Sequence, residues 1–208
     1  MASTRSETHA AAILATSEAC CALYIERGTT SLPVGEIIEA IGIPARTFHR
    51  YFPSKAETIA PVFAWTTATF NAAVNNAPAD LPLLAVLSDG FIRMLGGDVA
   101  ERTRNLFPLV FSDPAMWAVF LRGVHFGEIS LAPILARRLG LPDDALQARA
   151  AAAVVASSTR IALEAMVTTG GDPHPLFVSL LETLHSPLFE SRARSGGRAP
   201  RHPSTGVQ

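Results

Sequence analysis

The sequence predicts an all-α protein. Apolar residues recur at i, i+3, i+4 and i+7 along most of the chain, strand-like alternation is almost absent, and glycine and proline cut the pattern into segments of helical length. The chain has 208 residues, of which 49% are hydrophobic, so a sizeable core is expected. Three regions are expected: a three-helix N-terminal unit over 1–55, a larger helical domain over 56–190, and a tail over 191–208. The tail turns to Arg, Gly, Pro and Ser and is expected to be disordered.

The first helix is expected from Glu7 to Arg27, stopped by Gly28, with Ala12, Ala15, Ala19 and Leu23 forming its inward stripe. Pro33 suits the first turn of the next helix, in which Val34, Ile37, Ile38 and Ile41 share one apolar face. Gly42, Ile43 and Pro44 break it, and a further short helix covers Ala45 to Phe52. After Pro53, Ser54 and Glu57 have the spacing of a capping box that opens a helix over 55–76. Further helices are expected over 82–95, 99–111, 114–131, 143–169 and 173–189, with proline or an Asp/Ser cap at their starts.

Composition excludes several classes. The net charge is −1, so the chain is not a globally basic nucleic-acid binder, and any such contact must come from a local patch. Adjacent Cys20 and Cys21 diverge by about a hundred degrees on a helix and read as core thiols rather than a disulfide or metal pair. The six histidines form no i, i+4 pair, and no metal-ligand cluster, nucleophile elbow or glycine-rich phosphate loop occurs. An enzyme is therefore not expected, nor a cofactor or metal. No uninterrupted apolar run reaches about eighteen residues and the start is not of signal-peptide type, so a soluble, cytoplasmic protein without membrane contact is expected.

The short helix after Pro44 carries the functional signal. Arg46, His49 and Arg50 stand at i, i+3 and i+4 on one face, while Phe48, Tyr51 and Phe52 occupy the other. The aromatic face can anchor the helix while the other presents positive charge, and no acidic residue occurs between Ala40 and Ala56. Arginine can fork onto guanine O6 and N7 or onto phosphate. A helix, a glycine-containing turn and a second short helix with one apolar and one basic face form a helix-turn-helix, whose second helix enters the major groove. Lys55, the single lysine, adds charge at the start of the following helix.

Tyr24-Ile25-Glu26-Arg27-Gly28, then Val34 through Gly42-Ile43, then Arg46-Thr47-Phe48-His49-Arg50-Tyr51-Phe52-Pro53-Ser54-Lys55 resembles the N-terminal domain of the TetR family of bacterial repressors. The resemblance spans about residues 7 to 63, and its ending, Tyr-Phe-Pro-Ser-Lys, is the most specific part. It implies that Thr47, His49 and Lys55 meet phosphates of a double-stranded operator, and that Pro44, Ala45, Arg46 and Arg50 meet bases or backbone. The sequence departs from the family at Leu32-Pro33, where many members have two threonines, at His49, where many have tyrosine, and at Arg46, where many have glycine. The resemblance also implies a homodimer on a near-palindromic operator and a repressor released by a small ligand. The competing reading is a helical adaptor whose helix-turn-helix no longer reads DNA.

The second domain is rich in aromatic residues, and most of them are expected in the core. A ligand pocket is expected to draw on Phe107, Phe111, Trp117, Phe120, His125, Glu128 and Arg160, and its apolar character favours a hydrophobic or acyl-type effector. Pro61 is expected to kink the helix that joins the two domains. For dimerisation, Phe177, Leu181, Leu184 and Leu188 form one stripe and the small residues 150–155 form a surface for close approach.

Overall fold

The computed structural model describes residues 2–183, in which nine α-helices and two short 3-10 turns account for all regular structure. Helix α1, Ala2–Arg27, stops where Gly28 adopts a left-handed conformation at φ +62°. Its buried face is Ser17, Cys20, Cys21 and Tyr24 with Leu23, while Ala12, Ala15 and Ala19 are exposed. The expected alanine stripe is thus on the solvent side. The larger side chains remove more apolar area from water than methyl groups and so decide which way the helix faces.

Helix α2, Val34–Ile41, follows Pro33, whose ψ of 142° sets the extended backbone before a helix start. Ile37 is fully buried, and Gly42 closes the helix in the left-handed region at φ +69°. Helix α3, Ala45–Tyr51, opens after Pro44 in the same way. Residues Lys55–Ile59 then form a 3-10 turn rather than the start of a long helix, and Ser54 makes no side-chain cap. The Glu57 carboxylate instead takes the Arg122 guanidinium at 2.6 Å, a charge-assisted bond that competes with capping. The turn is pinned to α1 through the Thr58 carbonyl, which accepts from the Ser17 hydroxyl at 2.5 Å, and through the Thr58 hydroxyl, 3.0 Å from the Tyr24 phenol.

Helix α4, Ala60–Asn76, begins afresh after this turn, so Pro61 lies in its first turn, where no backbone N–H is required. The expected kink inside a longer helix therefore does not occur. Helix α5, Leu83–Leu95, α6, Ala100–Ser112, and α7, Pro114–Leu139, follow. Helix α7 runs past residue 131 and through Pro133 to Gly140. The proline leaves the Ile129 carbonyl without its usual donor, but buried Leu131, Ala132, Leu135 and Ala136 hold the helix on both sides. Residues 141–145 form a turn, closed by the Ala145 amide donating to the Pro142 carbonyl at 3.0 Å, so α8 is Leu146–Thr169. Helix α9 is Pro173–Thr183. The expected tail over 191–208, and Leu184 and Leu188 of the dimerisation stripe, lie outside the described residues.

Two apolar clusters organise the helices. One joins Tyr24, Ile37, Phe48, Phe52 and Ile59 of the N-terminal unit to Leu106, Phe107, Val110, Met116 and Phe120 of α6 and α7. The other gathers α4, α5, α7, α8 and α9. In it Phe177 stacks on Phe91 with ring centroids 4.3 Å apart, and Phe177 and Leu181 are both buried within the subunit. These two members of the expected dimerisation stripe are therefore spent on intramolecular packing. Residues 7–27, α7 and α8 are long and apolar enough to cross a membrane by length and composition alone. Much of that apolarity is alanine, and their charged side chains pair with neighbours, as in Glu18 with Arg102, Arg122 with Glu57 and Arg160 with Glu164.

Candidate nucleic-acid interface and ligand cavity

Helix α3 is held by its aromatic face. Phe48 and Phe52 are each 1% exposed and meet edge to face at 5.3 Å, and Tyr51 packs edge-on to His9 at 5.5 Å. The opposite face leaves Pro44, Ala45, Arg46, His49 and Arg50 exposed, with Thr47 half-buried. The Arg50 guanidinium lies over the Tyr51 ring at 5.3 Å. None of the ion pairs among the described residues involves Arg46 or Arg50, so their charge is not neutralised by a neighbouring carboxylate. A short basic helix docked by two buried rings and preceded by α2 and a glycine turn has the shape of a major-groove element.

Lys55 differs from the other basic residues. Its ammonium is half-buried and donates to the Thr30 carbonyl at 2.8 Å and the Leu32 carbonyl at 3.4 Å, bracing the loop that leads into α2. The same loop is tied to the α6–α7 junction, where the Thr30 hydroxyl donates to Asp113 Oδ2 at 2.9 Å. Asp113 Oδ1 caps α7 by accepting from the Ala115 and Met116 amides at 3.0 and 3.1 Å. Burial acts to raise the Asp113 pKa, but the bonds from Met116, Thr30 and Ala115 and the charge of Lys55 together hold it below the ordinary value. Sequence reasoning did not single out Thr30 or Asp113. The Asp-Pro pair is a legible helix start, but nothing in the order of residues says that Thr30 reaches it.

A cavity of about 90 Å³ lies among α4, α5, α6, α7 and α8. Phe107 and Phe120 line it, together with Phe63, Phe70, Thr66, Thr67, Asn71, Arg102, Thr103 and Thr159. Five of the expected ligand residues do not line it. Phe111 and Trp117 pack edge to face at 5.2 Å and lie to its side; exposed His125 stands 3.8 Å from Glu128; Arg160 pairs with Glu164 at 2.5 Å. Helical spacing placed Arg160 four residues before Glu164, and the pair satisfies itself rather than the cavity. A larger groove of about 410 Å³ runs between α4 and α7, lined by Ala60, Ala64, Ala68, Phe126 and Arg122. The cavity among α4–α8 is the better ligand candidate, because five helices surround it with aromatic and aliphatic side chains and a few polar groups.

Cys20 and Cys21 are free and fully buried, and burial raises their thiol pKa values to about 11 and about 12. They serve packing. Among the described residues no three His, Cys, Asp or Glu side chains are grouped to hold a metal ion.

Comparison with known proteins agrees with this geometry. The family model for bacterial regulatory proteins of the tetR family matches residues 18–59, from the middle of α1 through α2 and α3 to the 3-10 turn. Over 187 residues the chain is 29% identical to the HTH-type transcriptional regulator TcmR of Streptomyces glaucescens, covering 84% of this chain and 83% of that protein. A crystal structure of a candidate transcriptional regulator from Pseudomonas aeruginosa PAO1 shares the fold, with a TM-score of 0.51 at 16% identity over 83% of this chain and 88% of that one. The exposed basic helix, the aromatic anchors beneath it and these likenesses lead to one assignment: residues 18–59 form a helix-turn-helix DNA-binding unit of the tetR type, in a chain similar over most of its length to a transcriptional regulator.

Proposed function

We propose that the protein is a homodimeric repressor that binds a near-palindromic operator and is released from it by a small, largely apolar ligand. The observation that carries this reading is the connection of two features. A basic helix with unpaired Arg46 and Arg50 and an aromatic-walled cavity share one continuous apolar cluster through α6. Pro44, Ala45, Arg46, Thr47, His49 and Arg50 are the proposed DNA contacts, with Lys55 contributing through the braced loop before α2.

The dimer is proposed on the outer faces of α8 and α9. Ala150, Ser157 and Ile161 are exposed along α8 with half-buried Ala153 and Val154 beside them, a small-residue surface that allows two helices to approach closely. A two-fold dimer presents its α3 helices to half-sites about 34–36 Å apart. Because the cavity is smaller than the roughly 300–1,000 Å³ of an occupied ligand site, a ligand must spread the helices around it. Helix α6 touches α1, and its end is tied to Thr30, so that spreading reaches the DNA-reading unit. A preference of a few kcal/mol for the spread form is sufficient to empty the operator. The proposed target, chromosomal DNA, goes with a cytoplasmic, non-enzymatic role, which is part of the proposal.

The test is fluorescence polarisation with duplex DNA from upstream of the protein's own gene, at 50 and 200 mM salt. Binding weakens steeply with salt, and Arg46→Ala costs about 1–3 kcal/mol and relaxes preference at one base position per half-site. A flat salt dependence with no sequence preference would refute the proposal and favour a helical adaptor.

A further inference from the structure

Resting on the ligand reading of the cavity, we propose that its ligand is an apolar molecule with one anionic group, and that this group takes the Arg102 guanidinium away from Glu18 of α1. Arg102 is the charged residue among those lining the cavity. Its side chain is 24% exposed and its guanidinium lies 5.7 Å from the centre of the Trp65 ring. The carboxylate it faces is Glu18, at 3.6 Å, with Cys21 of α1 also within its field. That separation is longer than a hydrogen bond, whereas Arg122 and Glu57 meet at 2.6 Å and Arg93 and Asp89 at 2.7 Å. Among the described residues Arg102 makes no hydrogen bond, so five donors stand at the cavity edge with a loosely held partner.

The other polar groups of the wall are neutral, and those with a defined partner donate within the protein. The hydroxyls of Thr66, Thr103 and Thr159 donate to the carbonyls of Phe63, Val99 and Val155 within their own segments, at 2.8, 2.9 and 3.0 Å. Asn71 donates to Ser130 at 2.9 Å. These hydrogens are committed within the protein, and Arg102 supplies the charged donor of the wall. A cationic guest would meet a guanidinium, whereas a carboxylate or sulfonate would find a planar fork on an otherwise apolar wall of Phe63, Phe70, Phe107 and Phe120. The position of Arg102 couples this recognition to regulation. It sits in the first turn of α6, and Thr30 holds Asp113 at the far end of the same helix. Transfer of the guanidinium from Glu18 to the guest loosens the N-terminal end of α6 from α1 as the guest presses the helices apart.

The test uses two fluorescent probes with the same rings, anionic 1-anilinonaphthalene-8-sulfonate and uncharged N-phenyl-1-naphthylamine, titrated into the full chain. Arg102→Gln lowers affinity for the sulfonate about tenfold and leaves the neutral probe within about twofold, while Arg102→Lys restores part of the loss. Glu18→Gln, at an exposed position that folding tolerates, raises sulfonate affinity and not that of the neutral probe. Ala156→Phe, which fills the cavity, abolishes binding of both. Equal loss of the two probes in Arg102→Gln, or an unchanged sulfonate affinity, overturns the role of Arg102 while leaving the cavity as the ligand site. Retention of both probes by Ala156→Phe, or binding of neither by the unmodified chain, overturns the ligand reading and this proposal with it.

Discussion

Replacing Asp113 tests the joint between the DNA-reading unit and the rest of the molecule. Its carboxylate does two things at once: Oδ1 caps α7 at the Ala115 and Met116 amides, and Oδ2 accepts the Thr30 hydroxyl at 2.9 Å. Alanine removes both. Loss of the cap costs about 1 kcal/mol, and loss of a hydrogen bond to a charged group on a half-buried site costs about 1–2 kcal/mol more. The sum, about 2–3 kcal/mol, lowers the melting temperature by roughly 5–10 °C in a chain of this size. Asparagine keeps an acceptor for the cap and costs less, about 1 kcal/mol. The Asp113 pKa is depressed in the folded protein, so its ionised form contributes stability above the ordinary value near 3.8, and that contribution is lost as pH falls through the folded value. The difference between the unmodified chain and Asp113→Asn is therefore present at neutral pH and closes in acid. Thermal melts and urea titrations at several pH values measure it. An Asp113→Ala melting point within about 1 °C of the unmodified chain would refute the joint as described.

Phe48→Ala removes a side chain that is 1% exposed and anchors α3, so it costs about 3–5 kcal/mol in urea titrations and abolishes DNA binding under conditions where the rest of the chain stays folded. Gly42→Ala strains a left-handed residue at φ +69° between α2 and α3. With nothing within 4 Å of the new methyl group, the cost is conformational, about 1 kcal/mol, and is read from the same titrations. Cys20 and Cys21, with thiol pKa values raised to about 11 and about 12, resist iodoacetamide at pH 8 until denaturant is added; mass spectrometry that finds either alkylated in the native protein contradicts their burial.

Local sequence chemistry determined the helix class and the two-faced basic helix α3. The turn before α3 was legible because Gly42 and Pro44 each have one backbone reason to be there, and the two faces of α3 because its basic and aromatic residues are separated by helical spacing alone. Where the signals were of comparable strength, packing chose between them. The alanine stripe of α1 lost to the larger side chains that face Thr58 and α6, Pro133 failed to end α7 because four buried residues hold it against neighbours, and the capping of Ser54 by Glu57 gave way to an ion pair with Arg122, distant in sequence.

The cavity was legible only as a composition. Phe107 and Phe120 reached it, but Phe111, Trp117, His125, Glu128 and Arg160 did not, and Arg102, Thr30 and Asp113 gave no sign of their roles. The order of residues along the chain thus determined what is decided within a few residues: where helices begin and end, and which face of a seven-residue helix is oily and which is charged. Tertiary structure decided which side chains share a cavity, that Phe177 and Leu181 pack inside the subunit, and that the loop before α2 hangs from Asp113. The physical reason is range: helical periodicity and turn chemistry act between residues close in sequence, whereas burial and hydrogen bonding between residues 83 positions apart exist only once the chain has folded.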